Sequence, residues 1–144
     1  MTLFTIGFTK KSAERFFESL REAGVCRVVD VRLNNSSQLA GFSKRDDLKY
    51  FLKAICGIEY AHLPEFAPKQ EILDGYKKEE GSWDRYETLY LELLRERSAS
   101  RTMMREFFDG ACLLCSEATP EHCHRRLLAE YLRDKWGELR IVHI

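Results

Sequence analysis

The sequence predicts an α/β protein, with an open, mostly parallel sheet of about five strands and helices on both faces. Three observations predict it. Short runs rich in β-branched and aromatic residues alternate along the chain with longer stretches in which apolar residues recur at helical spacing. Serine, proline and glycine stand where helices would start and stop. The chain has 144 residues, 44% hydrophobic and 32% charged, which suits a globular domain able to bury a core without disulfides or metals as staples. Strands spaced by amphipathic helices are the pattern of a parallel sheet covered on both sides. One domain over residues 1–144 is expected, since no internal repeat, low-complexity segment or linker interrupts it.

The elements follow in order. "TLFTIGF" reads as a first strand. From Ser12, a candidate N-cap, Ala13, Phe16, Phe17 and Leu20 form a helical stripe that Gly24 ends. "VCRVVDVR" is a second, buried strand. "SKRDDLKYFLKAICG" repeats the helical plan: Ser43 is the expected cap, Asp46 sits three residues on, and Leu48, Phe51, Leu52 and Ile55 make the stripe before Gly57. "IEYAHL" is a third, weaker strand, leading into "PEFAPKQ". A long helical region follows, carrying Trp83, Tyr86, Leu89, Tyr90, Leu93 and Leu94, with a break expected near "SASR" and resumption over 103–108. "ACLLC" is the fourth strand. Thr119 is the expected cap of a last helix, with Pro120 in its first turn, where a missing N–H costs nothing. "LRIVHI" is the fifth strand.

Composition excludes several function classes. Lys+Arg and Asp+Glu balance at 23 each, and no block of like charge appears, so nucleic-acid binding is not signalled by charge. No stretch approaches the roughly 18 apolar residues of a membrane span, so no membrane partner is expected. The start of the chain reads as a strand and not a signal peptide. Five cysteines, an odd number, fit reduced thiols and a cytoplasmic location. Cys26 and Cys56 stand in apolar company and read as core residues, and His143 reads as a satisfied strand residue.

In parallel open sheets, ligands bind outside the C-terminal ends of the strands. The unusual polar residues gather at those predicted ends: Thr9, then Asp30 and Arg32, then His62 and Glu65, then Cys115 and Glu117. Asp30 and Arg32, two apart on a strand, share a face and can pair with each other or with Arg125.

The segment "LLCSEATPEHCHRR" concentrates the chemistry. Cys112-x-x-Cys115 resembles half a zinc site, but residues three apart on a strand leave opposite faces, and "LL" offers no turn. Cys123 and His124, as neighbours on a helix, would be separated by about 100° around its axis. A Cys115–Glu117–Cys123–His124 cluster is therefore awkward, and no metal is assigned. The strand–cysteine–loop–helix layout is also that of cysteine phosphatases and sulfurtransferases. Against that, "SEATP" has no glycine, Glu117 would repel an anion, and the next arginine after Cys115 is Arg125.

In the last helix Leu127, Leu128, Tyr131 and Leu132 define the buried face. His124 falls near its middle, aimed at the end of the fourth strand, with Cys123 and Arg125 flanking it and Arg126 turned to solvent. A thiol, a carboxylate, an imidazole and a guanidinium would meet there. Such a set supplies a nucleophile, an acid/base and an anion anchor. It serves equally as a structural network tying the helix start to Glu117 and Asp30.

At these residues the chain resembles the family known as domain of unknown function 488. The family's "TIG", "DVR", "GI-Y", "LLC-E" and "CHR" have counterparts here in "TIGF" at 5–8, "DVR" at 30–32, "GIEY" at 57–60, "LLCSE" at 113–117 and "CHRR" at 123–126. The resemblance implies a three-layer α/β fold and carries over Asp30, Arg32, Cys115, Glu117, Cys123, His124 and Arg125 as site residues. Two departures stand out. Phe8 and Thr9 replace the family's His-Ser, so no role passes from that histidine, and "HLPEFAP" replaces a glycine-rich turn.

The leading expectation is an enzyme acting on a small or nucleotide-like anionic substrate without a bound organic cofactor. Cys115 would be the nucleophile, and Glu117 and His124 would transfer protons. Arg32 and Arg125 would anchor the anion, with Asp30 orienting them and Cys123 beside them. The alternatives are a non-catalytic nucleotide or nucleic-acid binding module, and a metal-binding regulator using Cys115, Cys123 and His124.

Overall fold

The computed structural model of the chain describes residues 1–36, 41–102 and 104–144. Five strands, β1 (Thr2–Gly7), β2 (Arg27–Asp30), β3 (Glu59–His62), β4 (Ala111–Cys115) and β5 (Arg140–His143), form one sheet in the order β3-β2-β4-β1-β5. Every pairing is parallel. The helices are α1 (Ala13–Ala23), α2 (Arg45–Phe51), α3 (Gln70–Lys77), α4 (Trp83–Glu96), α5 (Ala99–Thr102) and α6 (His124–Trp136). None of the helices is long and apolar enough to cross a membrane among the described residues.

Alternation along the strands builds two cores. Ile6, Val28, Cys112 and Leu114 meet Phe16, Phe17 and Leu20 of α1 and Leu48 of α2. On the opposite face Leu3, Val29, Val31 and Leu113 meet Tyr86, Tyr90 and Leu94 of α4 and Leu127, Leu128 and Leu132 of α6. Cys112 and Cys115 accordingly serve opposite sides of the sheet.

The order of the strands positions the site. The chain leaving β2 runs outward to β3, whereas the chain leaving β4 passes β1 to reach β5. Adjacent strands whose exits diverge leave a crevice at their C-terminal ends. That crevice lies between the segments after Asp30 and after Cys115.

Helix boundaries follow local chemistry. The Ser12 hydroxyl accepts from the Arg15 N–H at 3.1 Å, and Gly24, at φ 76°, returns its N–H to Arg21 and Leu20. Ser82 caps α4 in the same way, through the Arg85 N–H. Ser43 is not the cap of α2. It lies in a 3-10 turn, Gly41–Ser43, and Lys44 occupies the cap position. The Asn35 carbonyl takes the Arg45 N–H at 2.7 Å, so that helix-end donor is met from outside the helix. The helix then widens into a π-type turn, Leu52–Cys56, before Gly57.

Three further boundaries differ from expectation. The second strand stops at Asp30, not Arg32. The helical region after "PEFAPKQ" is two helices, α3 and α4, and a 3-10 turn replaces helix at Arg105–Phe108; Met103 lies outside the described residues. Finally, α6 starts at His124 with Cys123 as its N-cap, and Thr119–Pro120 belong to the preceding loop. Proline's fixed φ serves a turn as readily as a first helical position, so the sequence signal has two readings.

Cys26 is exposed and Cys56 half-buried, so neither is a core residue. Burial nonetheless pushes the Cys56 thiol up, against the pull of Arg21. The His143 Nδ1 lies 2.6 Å from the Thr5 hydroxyl across the β1–β5 pair.

Candidate functional site

A cleft of about 190 Å³ opens at the ends of β2 and β4. Five residues picked out from the sequence line it: Arg32, Cys115, Glu117, Cys123 and His124. Asp30 and Arg125 stand behind its wall, 0% and 1% exposed. Thr9 and Glu65 are exposed elsewhere, and His62 binds the Arg32 carbonyl at 3.0 Å.

At the floor, Cys115 from β4 meets Cys123 and His124 from the start of α6. Their donor atoms all lie within 4.8 Å of one another, and Cys115 Sγ is 3.5 Å from His124 Nδ1. The expectation that Cys123 and His124 diverge by a helical step does not apply. Cys123 has extended backbone (φ −140°, ψ 138°), so its side chain leaves at a strand-like angle and converges with the imidazole. His124 Nε2 sits 2.7 Å from the Val31 carbonyl, which only accepts, so Nε2 carries a proton and Nδ1 faces the sulfurs. The Tyr90 ring packs edge-on against the imidazole at 5.4 Å.

The two sulfurs are not equivalent. Burial opposes charge on Cys123, but hydrogen bonds with the Cys115 thiol and His124 and the positive charge of Arg125 outweigh it, holding Cys123 well below an ordinary thiol. Cys115 is driven well up, by the hydrogen bond it gives to Cys123 and by its own burial. Of the pair, charge is favoured on Cys123 over Cys115.

Arg32 and Asp30 form a buried fork. Nε donates to Oδ1 and Nη2 to Oδ2, each at 2.8 Å, and the Arg32 backbone N–H adds a third bond at 3.2 Å. The Tyr60 hydroxyl donates to Oδ2 at 2.6 Å and the Asn35 amide at 3.3 Å. The guanidinium also lies over the Phe8 ring at 5.3 Å. Two of its nitrogens are used, but Nη1 is buried with no hydrogen-bond partner among the described residues.

Glu117 and Arg125 do not meet through their charged ends. The Glu117 carboxylate pairs with Lys77 of α3 at 2.5 Å on the half-exposed rim of the cleft. Arg125 Nη1 instead donates to the Glu117 backbone carbonyl at 2.8 Å, and Nε reaches the Thr5 hydroxyl at 3.4 Å. Its guanidinium braces the loop after β4 from beneath and does not reach the rim. Arg126 lies along the helix surface, bonded to Glu130 and to the Glu121 carbonyl, and does not project into solvent.

Sequence reasoning missed the aromatic side of the cleft. Trp83 stacks on Tyr86 at 4.7 Å and on His122 at 5.0 Å, and Tyr76 packs against both Trp83 and Tyr86. Trp83 and Tyr86 share the stripe of α4, which reads as core; a half-exposed tryptophan at the first position of a helix is the signal that separates them. Burial and the neighbouring sulfurs push the Tyr86 hydroxyl up, so it stays protonated.

A family model described as "Domain of unknown function DUF488" matches residues 12–132. No curated protein and no solved structure matches the chain. The match covers β2, β3 and β4 and every cleft residue named above, and on that extent the chain belongs to the DUF488 family.

Proposed function

We propose that the cleft is the active site of an enzyme acting on a small or nucleotide-like anionic substrate. Arg32 is its anchor, and the cluster of Cys115, Cys123 and His124 is its chemical centre. The observation that carries this reading is Arg32 Nη1, a buried cationic nitrogen that has no hydrogen-bond partner among the described residues and belongs to a residue lining the cleft. Leaving a charged donor unsatisfied in the interior costs more than the roughly 1–3 kcal/mol of a neutral group. An arrangement that holds the other two nitrogens rigidly on Asp30 and leaves the third free is suited to completion by an anionic oxygen. Trp83, Tyr86 and His122 line the same cleft and give it an aromatic side.

In this reading Asp30 orients the anchor and Arg125 positions the loop that carries Glu117. Glu117, at the rim, is placed to exchange protons with solvent once substrate displaces Lys77. Cys115 and His124 act on the reacting group through Cys123.

Calorimetric titration with orthophosphate and adenosine monophosphate tests the anchor. Arg32→Lys keeps a cation beside Asp30 but removes the free nitrogen, and affinity is expected to fall at least about tenfold, near 1.4 kcal/mol. Wild-type protein that binds neither anion, or Arg32→Lys that binds both unchanged, contradicts the anchor. Turnover of phosphate esters, acyl donors and sulfur-transfer donors, abolished by Cys123→Ser, separates an enzyme from a binding module. Anion binding with no turnover across that panel favours the module.

A further inference from the structure

We propose that Cys115, Cys123 and His124 form a Cys2His site for a thiophilic divalent ion, zinc by preference, with its fourth coordination position open to the cleft. The inference goes beyond the anion reading and does not depend on the cleft being catalytic.

Three independent features converge on it. The first is spacing. A tetrahedral zinc with bonds of about 2.3 Å to sulfur and about 2.0–2.1 Å to nitrogen has ligand–ligand edges of roughly 3.5–3.8 Å. Cys115 Sγ and His124 Nδ1 stand 3.5 Å apart, and all three donors fall within 4.8 Å. Against edges of roughly 3.5–3.8 Å, the longest separation needs to close by no more than about 1 Å to take an ion.

The second feature is the imidazole. A histidine that ligates a metal through one nitrogen ordinarily gives its other N–H to a carbonyl or carboxylate, which fixes the tautomer and the ring plane. His124 does this with the Val31 carbonyl at 2.7 Å, and Nδ1 is thereby presented to both sulfurs. Tyr90 packs edge-on against the ring and holds it there.

The third is charge and access. Two thiolates and a neutral imidazole bring a charge of −2, which a divalent ion cancels. No carboxylate joins the set among the described residues: Glu117 is held by Lys77, and Asp30 by Arg32. The fourth position is left to water or substrate, as in three-ligand catalytic zinc sites. It faces the cleft because all three ligands line it, together with Arg32. Soft sulfur donors favour zinc over magnesium, calcium or manganese.

The test uses the reduced full chain, stripped with a chelator and titrated with zinc against a chromophoric competitor, and in parallel with cobalt. One ion per chain is expected, with a sulfur-to-cobalt charge-transfer band and a tetrahedral ligand-field spectrum. Cys115→Ser, Cys123→Ser and His124→Asn should each weaken zinc by more than about 100-fold, since loss of outer-shell support alone costs about 10–100-fold. Cys112→Ser, Cys26→Ser and Arg32→Lys should leave it unchanged. Wild-type protein that takes up no cobalt, or takes it up without the sulfur band, overturns the proposal without recourse to any variant. So does zinc affinity retained in Cys115→Ser and Cys123→Ser. Arg32→Lys keeps the two readings apart: it should lose anion affinity and keep the metal.

Discussion

Asp30→Asn is expected to lower the unfolding free energy by about 3–5 kcal/mol, the usual consequence of breaking a buried ion pair from one side. The carboxylate is fully buried and accepts from Arg32 Nε, Arg32 Nη2, the Arg32 backbone N–H, the Tyr60 hydroxyl and the Asn35 amide. An asparagine of the same shape turns one acceptor into an NH2 group facing donors, and it leaves the Arg32 guanidinium uncompensated at 2% exposure. Urea unfolding of the two proteins at neutral pH measures the difference. A loss under about 1 kcal/mol would show that the fork does not anchor the end of β2. Tyr60→Phe removes one hydrogen bond to the carboxylate and should cost less, about 1.5–3 kcal/mol.

The same pair sets a pH dependence. Burial alone would raise the Asp30 carboxyl, but the hydrogen bond and charge of Arg32 and the bond from Tyr60 hold it below the ordinary carboxylate range. A depressed folded value means the stabilisation is complete above the unfolded pKa of about 3.9. It is lost as pH falls further, through the folded value. The gap between wild type and Asp30→Asn should therefore stay constant from neutral pH down to about 4–5 and close below that.

The sheet and the location of its crevice were legible because two periodicities suffice for them. The alternation of Val28, Val29, Leu113 and Leu114 and the stripes of α1, α4 and α6 reappear as the two cores. Pairing of Asp30 with Arg32 was legible for the same reason, since residues two apart on an extended chain share a side. The start of α6 was not. Thr119–Pro120 satisfies the rules for a helix start and for a turn alike, and the choice between them rests on where β4 ends and how far the loop must climb. That displacement of a few residues decides the chemistry. With Cys123 inside the helix its sulfur diverges from His124, and with Cys123 at the cap the two converge on Cys115. The role of Arg125 was hidden for another reason. Its partner is a backbone carbonyl, that of Glu117, and no residue type announces a carbonyl in need of a donor.

Gly7→Ala is expected to cost about 3–5 kcal/mol and to disturb the sulfur–imidazole cluster at a distance. The reason is space, since Gly7 has no positive φ to relieve. A Cβ there would lie 1.7 Å from the Glu117 carbonyl oxygen and 2.8 Å from its carbon, with Arg125 Nη1 at 3.1 Å. Backbone cannot step aside as a flexible side chain can. Either the end of β1 leaves its register opposite Cys115, or the loop after β4 moves outward. Movement of the loop strains the Thr9 N–H bond to the Ser116 carbonyl and takes the Glu117 carbonyl from Arg125, whose guanidinium is then buried with one partner fewer. Overpacking contributes about 1–3 kcal/mol. Loss of a hydrogen bond to a charged group adds about 1.5–3 kcal/mol. Urea unfolding reads the total, and alkylation of Cys115 and Cys123 by iodoacetamide, resolved by peptide mass, reads the site. Both cysteines should react faster in Gly7→Ala than in wild type, while the exposed Cys26 reacts at the same rate in each. A Gly7→Ala protein as stable as wild type, with its thiols equally protected, would mean that the loop after β4 is not braced against β1. The cluster at the floor of the cleft would then owe its geometry to β4 and α6 without that brace.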